Sequence, residues 1–299
     1  MSGGAGSRNF DIPEELVQKL TRKVGNLQML PAVAAQALEI ANDPDCDFLK
    51  LANVIQRDLK LTTFILRMAN STLFAPPAPI ASLHHAVSSM GLKRCREFII
   101  TTGLDSVSRK VTPELQSRRE VLWRHGFLTA IFAVKINHLL GLRFLGEEYT
   151  AALMHDFGRT LLAVATPEQF LMIDPLDFNE PVDIEDRERS RIGTAHTEFG
   201  AWYAELNELP EALVAAIRYH HAPSQAGPHA RLAALIAAAD HVANSVQRPG
   251  ETEPYNPMTN GALVVLQQGG ASNATGKFSD AVDQFVKDAP ALADELMRE

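Results

Sequence analysis

The stretch Ala151-Ala152-Leu153-Met154-His155-Asp156-Phe157-Gly158-Arg159 decides how the rest of the chain is read. An apolar helical run ends in an adjacent histidine and aspartate, and a glycine follows two residues later. Neighbouring side chains on a helix diverge by about 100°, so His155 and Asp156 cannot both face one flat partner. They can converge on an ion held at the helix end. A capped helix end with a hydrogen-bonded histidine gives the same dipeptide, so the rest of the chain has to separate the two readings.

Working outward, His125 lies on or beside the apolar face of a helix holding Trp123, Leu128, Ile131, Phe132 and Ile136. Downstream, Ala195-His196-Thr197-Glu198-Phe199 opens a helix with His196 exposed near its start. Leu213, Ala216 and Ile217 lead into His220-His221, which Ala222-Pro223 stops. Leu232, Leu235, Ile236 and Ala239 lead into Asp240. His125, His155, Asp156, His196, His220, His221 and Asp240 thus each sit on or at the end of an apolar helix. Burying so many polar groups is expensive unless they are paired or bind metal. Imidazole with carboxylate and no thiolate suits Fe, Mn, Zn, Ni or Mg and argues against a cysteine-type structural zinc site. A carboxylate such as Asp156 can bridge two ions, and a pair of ions a few ångströms apart is the arrangement used in phosphoester hydrolysis.

Composition sets the frame. The 299 residues are 46% hydrophobic and 21% charged, as in an ordinary globular protein with a real core. A net charge of -8 disfavours a general binder of nucleic acid or anionic membrane, which depends on Lys and Arg neutralising phosphate. The basic segments Lys93-Arg94-Cys95-Arg96 and Arg118-Arg119 with Arg124 are short and read as solvated faces. Cys46 and Cys95 lack Cys-x-x-Cys spacing and read as buried thiols, in helical contexts, of a reducing compartment. No stretch approaches the roughly 18 apolar residues of a membrane span. Met1 to Arg8 is Gly/Ser-rich without an apolar core, unlike a signal peptide. The expected location is cytoplasmic, with no membrane partner.

The remaining pattern is helical throughout, with no sustained period-two alternation. The fold class expected is all-α: a helical N-terminal subdomain followed by a metal-site helical bundle. Residues 1–12 read as disordered, 13–115 as the N-terminal subdomain, 116–248 as the bundle, and 249–299 as a linker and closing helix. Asp47 or Asp45 is placed to cap the helix of Phe48, Leu51, Ala52 and Ile55. Gly91 marks a break between two helices. Residues 174–190, acidic and Pro-containing, read as a loop and a solvated helix start. Residues 261–276, rich in Gly, Asn and Gln, read as poorly ordered. Val282, Phe285 and Val286 read as a helix that docks back on the bundle.

Residues ~25–245 resemble the HDOD family of the HD-domain superfamily. The resemblance runs through Leu30-Pro31, Asn42-Asp43-Pro44-Asp45, Leu51-Ala52-Asn53-Val54-Ile55, Asp58, Leu61-Thr62, Leu66-Arg67-Met68-Ala69-Asn70-Ser71, Ile80, Ala86-Val87 and Gly91-Leu92. Asp58-Leu59 stands where the family usually has Asp-Pro. The resemblance implies a scaffold or output module of bacterial signal transduction, with signalling proteins as partners. It further implies a metal set: His125, His155, Asp156 and Asp240 match the minimal ligands of HD phosphohydrolases. His196, His220 and His221 match additional ligands of the HD-GYP branch, which hydrolyses cyclic-di-GMP. Arg159 replaces that branch's Lys and is a cation able to hold phosphate. The Gly-Tyr-Pro segment after its histidine pair is absent; here the chain reads His220-His221-Ala222-Pro223-Ser224.

Two readings follow. In one, the chain is a regulatory module with a His/Asp site for one or two divalent ions, Fe or Mn foremost and Zn, Ni or Mg as alternatives. In the other it is a metal-dependent phosphohydrolase acting on a nucleotide or cyclic dinucleotide, with Asp156 and Arg159 as its catalytic residues.

Overall fold

The computed structural model describes residues 10–43, 45–74, 76–178, 184–251 and 253–297, and its regular elements are all helical. The N-terminal part comprises α1 (Glu14–Val24), α2 (Ala32–Asn42), α3 (Phe48–Ile55), α4 (Leu59–Asn70) and α5 (Leu83–Ser108). Local chemistry sets their ends. Asp47 caps α3 by accepting from the Leu49 amide, and Asp58 caps α4 by accepting from that of Leu61. Asn70 ends α4 and ties down the proline-rich loop: its Nδ2 donates to the Ile80 carbonyl at 2.8 Å, and the Ile80 amide donates back to Oδ1 at 2.7 Å. α5 bends at Gly91, whose φ of 78° and ψ of 163° lie outside helical values, as the sequence leads one to expect.

The second part is built on α6 (Gln116–Leu140), a helix buried along most of its length. It packs against α7 (Glu147–Met154), and the run continues through α8 (Phe157–Ala165), α9 (Pro167–Ile173) and α10 (Ile184–Ile192). Then come α11 (His196–Leu206), α12 (Glu211–Tyr219) and α13 (Ala230–Gln247), the last packed on α6, α7 and α12. α14 (Gly261–Gln268) and α15 (Ala274–Met297) complete the fold, and α15 docks along α6. Residues 261–268 are therefore ordered helix, contrary to their composition: Leu263 and Leu266 are buried, and that apolar pair outweighs the flanking Gly, Gln and Asn.

The two parts share one core. Phe74 and Phe98 meet Tyr149 of α7 in edge-on ring contacts, with Phe98 and Tyr149 centroids 5.6 Å apart, and Phe64 packs edge-on against Phe98. α1 packs on α8, and α5 on α7 and α8. Cys95 is buried in α5, where burial pushes its thiol up to about 12, whereas Cys46 lies outside the helices and is partly exposed. Residues 1–9 of the expected disordered N-terminus lie outside the described residues. Among the described residues, no helix is long and apolar enough to cross a membrane.

Candidate metal centre

Six helices converge on one buried point. His125 comes from α6, His155 and Asp156 from the junction of α7 and α8, His196 from the start of α11, His220 and His221 from the end of α12, and Asp240 from α13. Asp156 sits between helices with φ -99° and ψ 10°, which turns its side chain away from the path of α7. Two glycines permit the crowding. A Cβ on Gly126 would stand 3.0 Å from the Leu153 carbonyl oxygen, so only glycine lets α6 approach α7 without strain beside His125. A Cβ on Gly158 would stand 1.9 Å from the His196 carbonyl oxygen, so α8 and α11 cross at backbone distance. The glycine two residues beyond His155-Asp156 is therefore a steric requirement for bringing Asp156 and His196 together.

The ligand atoms fall into two sets. In the first, His125 Nε2 lies 3.0 Å from Asp240 Oδ1 and 3.3 Å from His155 Nε2, and His155 Nε2 lies 3.3 Å from the same Asp240 oxygen. Asp156 Oδ2 stands 3.7 Å from His155 Nε2 and 3.8 Å from His125 Nε2. In the second, Asp156 Oδ1 stands 3.4 Å from His196 Nε2 and 3.6 Å from His220 Nε2, while His221 Nε2 is 3.2 Å from His196 Nε2. Asp156 thus offers one oxygen to each set. All but His221 are buried. His196, expected to be exposed, is fully buried because α10 covers the start of α11.

The other ring nitrogens are held from behind. His155 Nδ1 lies 2.6 Å from the Ala152 carbonyl, His220 Nδ1 2.8 Å from that of Ile217, and His125 Nδ1 2.9 Å from Gln247 Oε1. Glu188 Oε2 accepts from both the backbone amide of His196 at 2.8 Å and its Nδ1 at 2.7 Å. Such partners fix the tautomer that turns Nε2 toward an ion. Arg159 lies behind Asp156, buried: Nη1 donates to Asp156 Oδ2 at 2.7 Å, and Nε and Nη2 donate to Asp174 at 2.8 Å each. Its guanidinium faces two carboxylates in the protein interior and is not part of the cleft wall, so it positions Asp156 where the sequence suggested a hold on phosphate. Glu188 and Asp174 were missed by sequence reasoning. Both fall in the stretch that reads as solvated, yet both are buried.

The electrostatics are those of a cation-binding site. Burial pushes the carboxyl of Asp156 up, but Arg159 and His155 outweigh it and hold the group well below its usual range. Asp240 is likewise held low, against burial, by hydrogen bonds from His125 and His155. Burial pushes His155 and His196 down, but the carboxylates of Asp156 and Asp240, and of Glu188, raise each to about 9. Burial lowers His220; the His221 ring is packed against the protein although the residue keeps an exposed side, and that desolvation, with the neighbouring His220 and His196 rings, lowers it far. Asp156 Oδ1 and His220 Nε2 are buried and lack a hydrogen-bond partner among the described residues, although they face one another. Buried polar atoms are rarely left so. A divalent ion between them and His196 would satisfy both, so the donor set fits metal. Three overlapping groups of the cluster bring their ligand atoms close enough together to hold an ion: His196, His220 and His221; His125, His155 and Asp240; and His155, Asp156 and His220.

The cluster opens on a cleft of about 800 Å³ whose walls include His220, His221 and Asp240. The basic residues noted in the sequence form no such site. Lys93 pairs with Glu147 at 2.7 Å, Arg119 with Asp105 at 2.7 Å and Arg124 with Asp294 at 2.9 Å, while Arg118 donates to the Asp174 carbonyl at 2.7 Å.

Set beside known proteins, residues 27–223 match the family model of the HDOD domain. The chain is 25% identical over 220 residues to an uncharacterized protein of Treponema pallidum (strain Nichols), covering 72% of this chain and 42% of that protein. It thus spans less than half the length of that relative. The crystal structure of an HDOD domain protein with unknown function from Geobacter sulfurreducens is similar at a TM-score of 0.75 and 26% identity, covering 95% of this chain and 98% of that one. A protein of Shewanella amazonensis SB2B described as a candidate phosphohydrolase shares the fold at a TM-score of 0.67 and 21% identity, with coverage of 95% and 98%.

Proposed function

This chain belongs to the HDOD family, and from that premise we propose that it is a regulatory module of bacterial signal transduction whose HD-like half holds two divalent metal ions. The observation that carries the proposal is the partition of the ligand atoms about Asp156, one carboxylate oxygen to each histidine set. His125, His155 and Asp240 would hold one ion, and His196, His220 and His221 the other, with Asp156 bridging. The imidazole and carboxylate donors suit Fe or Mn first, with Zn, Ni or Mg as alternatives. Arg159 and Asp174 orient Asp156, and Glu188 holds His196 in its metal-binding tautomer. Signalling proteins are the proposed partners.

Elemental mass spectrometry of protein purified without chelator tests this. Near two Fe or Mn per chain is expected, and His155→Ala should remove most of it. Zero content in the wild type, persisting after reconstitution, overturns the proposal.

The cleft favours a second reading, a metal-dependent phosphohydrolase, because a phosphoester can reach His220, His221 and Asp240 through it. Paired ions in such a place polarise phosphoryl oxygens and activate water. The chain's own residues would position the ester and shield it from bulk solvent. Turnover of a nucleotide or cyclic dinucleotide by the loaded protein, lost in Asp156→Ala, is the expected result; activity that survives Asp156→Ala refutes the reading.

A further inference from the structure

The two histidine sets meet the cleft differently. The second set shows both His220 and His221 on its wall, whereas the first shows only Asp240, and His125 and His155 are fully buried. Phe178 touches both the cleft and the first set. The residue lines the cleft, is 4% exposed, and stacks its ring on that of His125 with centroids 5.1 Å apart and planes 27° from parallel. The ligand sets give this ring no task, since a phenyl group offers an ion no lone pair, yet it fills a wall of the site.

The backbone that carries the ring is held in a costly conformation. Leu176 and Phe178 both have a φ of 54°, in the left-handed region that bulky residues rarely adopt. Such conformations persist where surrounding contacts over-determine them, and they gather at functional sites. Two ties hold this segment. At its start the Leu176 amide donates to Asp174 Oδ1 at 3.0 Å, and Arg159 bonds that same carboxylate together with Asp156. At its end Arg248, on the cleft wall, donates from Nη2 to the Phe178 carbonyl at 3.3 Å. The ring is thus fixed against His125 from the side of Asp156 and from the wall of the cleft.

We propose that Phe178 is a stopper that closes the first histidine set off from the cleft. An ion held by His125, His155 and Asp240 is then trapped, whereas one held by His196, His220 and His221 exchanges freely through the cleft. For the ions, the inference rests on the two-ion reading; the shielding of His125 does not. Passage past a packed ring needs local opening of the segment that carries it, so the two positions differ in the rate at which they fill and empty.

Release of manganese from the loaded protein into excess EDTA tests it, with bound metal read in quenched, desalted aliquots by elemental mass spectrometry. The wild type should lose one manganese quickly and the other at least tenfold more slowly. Phe178→Gly removes the ring and suits a φ of 54°; it should bring the slow phase to within threefold of the fast one. Uptake at the slow position should quicken by the same factor, leaving equilibrium affinity unchanged. Affinity that falls while uptake keeps its rate would mean that the ring supports His125 without closing the site, and overturns the stopper. Arg248→Ala, which cuts one tie and keeps the ring, should also quicken the slow phase, and it carries the test if Phe178→Gly fails to fold. A single phase in the wild type, or a slow phase that both variants leave alone, overturns the stopper and leaves the two-ion centre standing. Protein that holds no manganese refutes the centre instead, and hydroxyl-radical footprinting of the metal-free protein then decides the stopper. His125 oxidation should rise at least fivefold in either variant while buried Phe132 of the same helix stays protected. Unchanged oxidation of His125 overturns the stopper whether or not metal binds.

Discussion

Replacing Gly158 with alanine should damage the centre without touching a ligand. The added Cβ would lie 1.9 Å from the His196 carbonyl oxygen, 2.6 Å from its carbonyl carbon and 3.0 Å from the Gly200 amide nitrogen. Carbon and oxygen in ordinary contact stand about 3.3 Å or more apart, so α8 and α11 must separate by roughly 1.5 Å. The obstacle is backbone, which cannot rotate aside as a side chain can. Overpacking of a well-filled core typically costs about 1–3 kcal/mol, occasionally more, and this contact belongs at the upper end or beyond. Helix propensity acts in the opposite direction, favouring alanine by about 1 kcal/mol, so a net loss cannot come from propensity. A loss of about 3 kcal/mol corresponds to a fall in Tm of roughly 6–12 °C for a chain of this size. Thermal and urea unfolding followed by tryptophan fluorescence, with Trp123→Phe as the background so that only Trp202 of α11, stacked on Phe199, reports, reads the change beside the crossing. Gly200→Ala is the internal control. Its Cβ meets the Ile217 side chain at 3.0 Å and the Gly158 amide nitrogen at 3.1 Å, so it should cost visibly less. A Gly158→Ala protein that melts at or above the wild-type temperature would refute the steric account.

Three further outcomes follow from the same packing. Burial raises Glu97 to about 7; it therefore favours the fold below pH 4.5, and that contribution is lost as pH rises through 7, by about 3 kcal/mol if the whole shift is realised. Urea titrations at pH 5 and 8 should show Glu97→Gln losing less stability across that window than the wild type, and parallel losses would refute it. Glu188→Gln removes the charged acceptor behind His196 and should weaken metal binding about 10- to 100-fold in a chelator competition; unchanged affinity would show that Glu188 does not serve the centre. Asp174→Asn leaves Arg159 buried with half its support and should destabilise by about 3–5 kcal/mol in urea unfolding, whereas a loss under 1 kcal/mol would mean the pair is dispensable.

The helical class and the residues of the His/Asp cluster could be read from residue patterning, because apolar stripes that end in His or Asp expose both the helix and the anomaly at its end. The break at Gly91 and the cap at Asp47 were legible for local reasons: glycine interrupts a stripe, and aspartate precedes one. Glu188 and Asp174 were not. Each sits among charged neighbours, so nothing local distinguishes it from a solvated carboxylate; burial comes from α10 closing on the start of α11 and from Arg159 reaching Asp174. The pairing of Arg159 with Asp174 was hidden for the same reason, since that partner lies in a segment with no periodic signal. The helix at 261–268 was hidden by its composition, and the partition of ligands about Asp156 depends on a helix crossing that no single segment records.

Asp240 has one more bearing, on where this protein can be cut. The match to the family model closes at Pro223, seven residues before α13 begins. A polypeptide trimmed to that stretch would keep six of the seven candidate ligands and lose the carboxylate that His125 and His155 share. It would also lose the helix that packs on α6, α7 and α12 and one whole side of the cleft. The stretch that identifies the family and the stretch that holds the whole His/Asp cluster are therefore different lengths of chain, and a truncation meant to keep the cluster has to include α13.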